Sequence, residues 1–269
     1  MENEHKPEEL SEEKDNEQIE ELNEELLEQI NKQGYLLEKR TEQLIQKMYD
    51  PSILQTKKLN YLERNFRFKT PFEEEVEIDV LAIFKDACFV IECKKTEKDW
   101  FFGIDDNSEK ETFFLYKENV FESKGHISTN TTAEPIFSAL TDENDELKKI
   151  NKHGEYQISQ RDIDSTLRQL SKNINLLINY NKEFLEKHKI KKIIPIVVTN
   201  SKLITFEYSL NDIDTSGNLL KIKNLNVHAS LICNRREILK LNINDECIML
   251  STIWTHLDVL KTKLLENVR

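Results

Sequence analysis

The sequence predicts an α/β fold: a central mixed β-sheet flanked by helices, preceded by an acidic helical extension. Three observations predict it. Val76, Ile78, Val80 and Ala82 alternate with Glu77, Asp79 and Leu81 as a strand does, while Ile193–Val198 is a continuous apolar run of the kind that parallel strands buried on both faces produce. A helical stripe precedes each of these strands, one over Tyr35–Met48 and one over Ile163–Ile178. Finally, the first 29 residues hold 13 Asp and Glu against two Lys.

Taken in order, Met1–Gln33 is expected to be a solvated helical extension, disordered over its first dozen residues. Ile19, Leu22, Leu26, Leu27 and Ile30 fall on one helical stripe there, so partner binding or self-association is the alternative use of the segment. Gly34 interrupts the pattern. Tyr35, Leu36, Leu37, Leu44, Ile45 and Met48 mark an amphipathic helix ending before Pro51, and Asn60–Lys69 reads as extended. Val76–Ala82 and Cys88–Lys94 are predicted strands joined by a tight turn at Lys85–Asp86. The stretch 96–159 lacks periodicity and reads as an insertion of short elements and loops, with aromatic clusters at Trp100–Phe102 and Phe113–Tyr116. Ile163, Leu167, Leu170, Ile174, Leu177 and Ile178 form a long helical stripe before the buried strand Ile193–Val198. Short strand-like pieces such as Ala229–Cys233 follow, and then a closing helix from about Ser251 to Glu266. The expected organisation is therefore an extension at 1–33, a core at 34–200 with its insertion at 96–159, and a C-terminal continuation at 201–269.

The formal charge of −12 disfavours a protein that handles nucleic acid, because phosphate contacts require a basic surface. The extension accounts for nearly all of it. Of 50 acidic and 38 basic residues, 37 and 36 remain outside Met1–Gln29, so the body is close to neutral and can present a local basic groove. Cys88, Cys93, Cys233 and Cys247 form no C-x-x-C pair, which argues against a zinc site or a disulfide framework. Five isolated glycines exclude a P-loop and a dinucleotide fingerprint, and six histidines show no metal-ligand spacing. No apolar stretch reaches the roughly 20 residues that a membrane helix needs, and a cytoplasmic protein is expected.

Glu92 and Lys94 lie two apart on a predicted strand and so project to one side of it. With the hairpin turning at Lys85–Asp86, partner numbers sum to about 171, which sets Asp79 opposite Glu92. Two carboxylates and an ammonium among Val80–Phe84 and Phe89–Ile91 are costly to bury without compensation. A hard divalent cation compensates them, and Mg²⁺ or Mn²⁺ is the expected metal. Such an ion lowers the pKa of a bound water and neutralises charge on a phosphate, and Lys94 would orient or activate that water.

Ile78-Asp79-Val80 followed by Val90-Ile91-Glu92-Cys93-Lys94 resembles the paired motifs of the PD-(D/E)XK, or restriction-endonuclease-like, nuclease superfamily. The order helix, strand, strand hairpin, helix, strand over Gly34–Asn200 is similar to its common core, and Val197-Val198-Thr199-Asn200 resembles the strand ending of Mrr-like members. Ile78 stands where the motif nominally has proline. The resemblance implies a metal-dependent DNA endonuclease of a restriction or phage-defence type, with RNA as another possible substrate. It implies Asp79 and Glu92 as metal ligands, Glu38 as an added acid of the metal shell and Gln169 as a polar residue of the later helix. Glu42 competes with Glu38, and Lys172 or Gln160 with Gln169. The alternative function is a non-catalytic nucleic-acid-binding or assembly subunit on the same fold. Trp100–Phe102 are expected to pack in the core rather than stack on bases, with Lys95 and Lys98 as candidate phosphate contacts. The cluster Arg235, Arg236 and Lys240 is expected on a solvated turn.

Overall fold

The computed structural model describes residues 27, 34–48, 59–105, 113–115, 124–126, 133–141, 160–240 and 247–267. The acidic extension lies outside the described residues except for Leu27. Helix α1 (Tyr35–Lys47) leads into strands β1 (Leu59–Lys69), β2 (Glu75–Phe84) and β3 (Ala87–Lys94). Then come β4 (Asp99–Asp105), the short β5 (Phe113–Leu115) and β6 (Lys124–His126), and β7 (Glu134–Ala139). Helices α2 (Gln160–Tyr180) and α3 (Lys182–Lys187) precede β8 (Lys192–Thr199) and β9 (Leu203–Tyr208). Strands β10 (Lys223–His228), β11 (Ser230–Lys240) and β12 (Cys247–His256) precede the last helix, α4 (Leu257–Asn267).

Six strands form the central sheet in the order β1-β2-β3-β8-β12-β11. Its centre is parallel, β3 on β8 and β8 on β12, and its flanks are antiparallel. The central mixed sheet flanked by helices is thus the architecture that the patterns predict. Ile193, Ile194, Ile196, Val197 and Val198 are all buried, because β8 is covered on both faces. One face packs Val90, Val197 and Leu81 against Ile163, Leu167, Leu170, Ile174 and Leu177 of α2. The other packs Val80, Phe89, Ile91 and Val198 against Ile45 and Met48 of α1 and Leu260 and Leu264 of α4. Burying each large aliphatic side chain contributes about 1.5–3 kcal/mol, so two such layers suffice to hold a strand pair that carries charge at its end.

The β2–β3 hairpin turns at Lys85–Asp86, where Lys85 takes a left-handed φ of 55°. Asp86 O accepts from Lys191 N at 2.7 Å and fixes this turn to the start of β8.

A second sheet of order β10-β9-β4-β7 takes β4 and β7 from the stretch expected to be an insertion of short elements. Trp100 and Phe102 point into the core against Trp254, with ring centroids 5.0 and 5.4 Å apart, while Phe101 stacks on Phe137 at 4.7 Å. All three aromatics are buried, as expected of core packing.

Two expectations are corrected. Ser251–His256 is not the start of the closing helix but the end of β12, because Thr252, Ile253, Trp254 and Thr255 are inserted beside β8 and buried there. Arg235, Arg236 and Lys240 fall within β11 rather than on a turn. Among the described residues, no helix is long and apolar enough to cross a membrane.

Candidate active site

The site forms where β2 and β3 part. Their ladder runs from Phe84↔Ala87 to Val80↔Ile91, each pair summing to 171, and stops there. Beyond it β2 stays with β1 as far as Glu75, and β3 stays with β8 as far as Lys94. The two strands fork, and the fork opens at Asp79 and Glu92. Asp79 closes its apex: its Oδ2 accepts a 2.7 Å hydrogen bond from the Cys93 backbone N–H, replacing the ladder bond that the divergence removes.

Glu92 is 1 % exposed. Lys94 Nζ lies 2.8 Å from its Oε1, an ion pair that is close but poorly directed, and Oε1 is buried without a hydrogen bond. Burial, with the Asp79 charge second, pushes the Glu92 carboxyl up to about 7 against the opposing pull of Lys94. Burial also raises Asp79, opposed by the Cys93 N–H and by Lys94. Glu38, half-buried on α1, is raised first by burial and then by Asp79, which places it in the field of the pair. Glu42 is engaged elsewhere, with Arg64 Nε 3.3 Å away. Of the two acids on α1, Glu38 is thus the one electrostatically coupled to Asp79 and Glu92.

These donors fit a hard divalent cation. Both are carboxylates, one of them deeply buried with an oxygen that lacks a hydrogen bond, and burial raises the pKa of each, so a cation beside them is favoured. Among the described residues no three Asp, Glu, His or Cys side chains gather as a ligand set. The arrangement accordingly suits an ion that takes two carboxylates and completes its shell with water and phosphate.

Supporting contacts hold the fork in place. Cys93 Sγ donates to Thr41 Oγ1 at 3.6 Å, linking β3 to α1 one turn from Glu38. Asn173 Nδ2 donates to Glu77 O at 2.8 Å, tying α2 to β2 just below Asp79. The segment after Lys94 is held by the end of β8: Thr96 N donates to Asn200 Oδ1 at 3.3 Å, and Ser201 Oγ donates to Thr96 O at 2.9 Å.

Not every predicted site residue arrives here. Gln169 is exposed on α2 and makes no hydrogen bond to Asp79, Glu92 or Lys94. Lys172 pairs with Glu74 at 2.5 Å, and Gln160 is exposed at the start of α2. Lys98 is bound to Asp162 at 2.8 Å. Thr41, Asn173 and Asn65 were not singled out from the sequence. The apolar pattern holds no cue for Asn65, because Leu62, Phe66 and Phe68 share one parity as an uninterrupted strand would.

Residues 33–140 match the family model of the nuclease-related domain, NERD. This segment, less than half of the chain, contains Glu38, Asp79, Glu92 and Lys94 but not Gln169. Nuclease-related domains belong to the PD-(D/E)XK-like nuclease superfamily, the one that the paired motifs resemble. The central mixed sheet with helices on both faces is consistent with a restriction-endonuclease-like fold. No curated protein and no solved structure matches the chain.

Proposed function

Because residues 33–140 match the nuclease-related domain, we propose that this protein is a divalent-metal-dependent phosphodiesterase that cuts DNA as an endonuclease of the restriction or phage-defence type. One observation carries the reading: the β2–β3 ladder ends at Val80↔Ile91, and Asp79, Glu92 and Lys94 follow where the strands part, with Glu92 buried and its Oε1 lacking a hydrogen bond. A purely structural hairpin gains little from such an arrangement, since taking a carboxylate and its ammonium partner out of water costs about as much as their attraction returns.

Asp79 and Glu92 would hold Mg²⁺ or Mn²⁺, and Glu38 would add a third negative charge to the shell through water. The bound ion supplies a water of lowered pKa and positive charge against the phosphate oxygens. Lys94 orients the attacking water and adds positive charge beside the reacting phosphorus. In that reaction the water oxygen would bond to phosphorus as the bond to the leaving ester oxygen breaks, the water would release a proton to solvent, and the leaving oxygen would take one up from solvent. Gln169, exposed on α2, would take part only where the substrate reaches that helix, since a carboxamide can meet a phosphate or a base edge.

The test is cleavage of supercoiled plasmid, single-stranded DNA and RNA with Mg²⁺ or Mn²⁺, comparing the native chain with Lys94→Ala and Glu92→Ala. Plasmid nicking that needs metal and disappears in both variants is the expected result. Cleavage of RNA alone would replace the DNA assignment. An inert chain that binds no Mn²⁺ would favour the assembly-subunit alternative.

A further inference from the structure

Opposite Asp79 on β1 stands a residue that neither the motifs nor the family match singles out. Arg64 pairs with Val80 and Phe66 with Ile78, so the register sets Asn65 directly across from Asp79, yet that pair drops out of the ladder. Asn65 has a left-handed φ of 54°, unusual inside a strand. Its Oδ1 is buried and has no hydrogen-bond partner.

The side-chain alternation inverts at this point in both strands. Leu62 packs on the α1 face and Phe66 on the α2 face, although both numbers are even, and Val80 and Ile78 show the same inversion on β2. The partner numbers sum to 144 on both sides of the break, so neither strand carries an extra residue. The twist is therefore not an ordinary bulge. Backbone strain and an orphaned buried acceptor both cost stability, and such features persist at sites where function needs them.

We propose that Asn65 is a positioning residue of the site, whose Oδ1 accepts a hydrogen bond from a water in the shell of the divalent cation held by Asp79 and Glu92. The register sets Asn65 across from Asp79 on the adjacent strand, so its carboxamide stands beside the residue that closes the fork. A neutral oxygen there fixes a water without adding a third full charge beside two carboxylates that burial already raises. The inference rests on the proposed metal site, and its test separates the two.

The measurement is calorimetric titration of the full chain with Mn²⁺ at pH 8, for the native protein, Asn65→Gly, Asn65→Asp and Glu92→Gln, alongside thermal unfolding without metal. Glycine adopts the left-handed conformation freely, so Asn65→Gly keeps the backbone and removes only the carboxamide. The metal-free melting temperature of Asn65→Gly should match or exceed that of the native protein, while its Mn²⁺ affinity falls about tenfold, the usual effect of losing an outer partner of a metal shell. Asn65→Asp keeps an oxygen acceptor and should bind Mn²⁺ at least as tightly as the native chain. Native affinity in Asn65→Gly, or a loss in Asn65→Asp equal to that in Asn65→Gly, would overturn the role of Asn65 while leaving the metal site intact. No Mn²⁺ binding by the native chain, or binding untouched by Glu92→Gln, would remove the metal site and this inference with it.

Discussion

Replacing Glu92 with glutamine keeps the shape of the side chain and removes a charge from a place that is 1 % exposed. A carboxyl raised from its ordinary 4.5 to about 7 binds a proton more tightly in the folded chain than in the unfolded one. The stability this contributes is fully present below about 4.5 and is lost as pH rises through about 7. At 1.36 kcal/mol for each pH unit of that interval, the loss is about 3 kcal/mol, and the depth of burial means that solvent screening does little to reduce it. Asp79 titrates in the same field, so the two steps belong to the pair rather than to either residue alone. The assay is urea unfolding of the native chain and Glu92→Gln in chelator between pH 4.5 and 8. Relative to the variant, the native chain should lose about 3 kcal/mol across that range, because all other titrating groups are common to both. Adding Mn²⁺ at a hundred times its dissociation constant at pH 8 should restore about 2.7 kcal/mol to the native chain and little to the variant. A native-minus-variant difference that stays constant from pH 4.5 to 8 would refute the argument, since it would mean that Glu92 ionises as an ordinary surface carboxyl does.

The same titration governs activity: at limiting metal, kcat/KM for plasmid cleavage should fall about tenfold for each pH unit below 7, because protons compete with the metal for Glu92, and a flat profile between pH 6 and 8 would contradict it. Lys94→Met keeps the aliphatic stem and removes the charge 2.8 Å from Glu92; cleavage in a gel assay should drop by on the order of 100-fold or more while calorimetric Mn²⁺ affinity at pH 8 does not fall. Asn173→Ala leaves Glu77 O without its 2.8 Å donor, a loss of about 1–2 kcal/mol readable by urea unfolding, with cleavage reduced as β2 loosens below Asp79. Gly103→Ala sets a Cβ 2.9 Å from the Tyr208 ring and 3.3 Å from Ile136 Cγ1, so it should destabilise the second sheet by about 1–3 kcal/mol in the same experiment and leave Mn²⁺ affinity unchanged.

The β2–β3 hairpin was legible because two independent cues agreed on one register: period-two alternation on either side of a two-residue turn. The pairing of Val80 with Ile91 is the result. Helix α2 and strand β8 were legible for a similar reason, each showing one periodicity over its whole length. Ser251–His256 was not, since Thr252, Ile253, Trp254 and Thr255 read equally as a helix face or a buried strand until a neighbour such as β8 decides between them. Nor could the second sheet be read, because β4 pairs with β9 about a hundred residues away and no local pattern encodes such a partner. Within the site, the triplet could be read from spacing alone. The engagement of Glu42 by Arg64 of β1 could not be read there, because it joins residues of different elements.

The fork also explains why charge interrupts an apolar strand pair at this point and nowhere nearer the hairpin turn. Between Val80 and Phe84 both faces of β2 are covered, so an ionisable group there would be enclosed by packed side chains. One residue further along, the β3 partner is gone, and Asp79 can accept the Cys93 N–H that the lost partner leaves free. The strand ends supply backbone donors and remove a neighbour in the same step. That is the combination a carboxylate needs to persist at the apex, and it leaves Glu92 across the gap with an oxygen that has Lys94 Nζ beside it but no directed hydrogen bond. Shifting the divergence by one residue would move Asp79 or Glu92 to the opposite face of its strand. The site therefore depends on the register of β2 on β3 as much as on the identity of its three residues, and a substitution that slips that register should abolish metal binding even with Asp79, Glu92 and Lys94 all present.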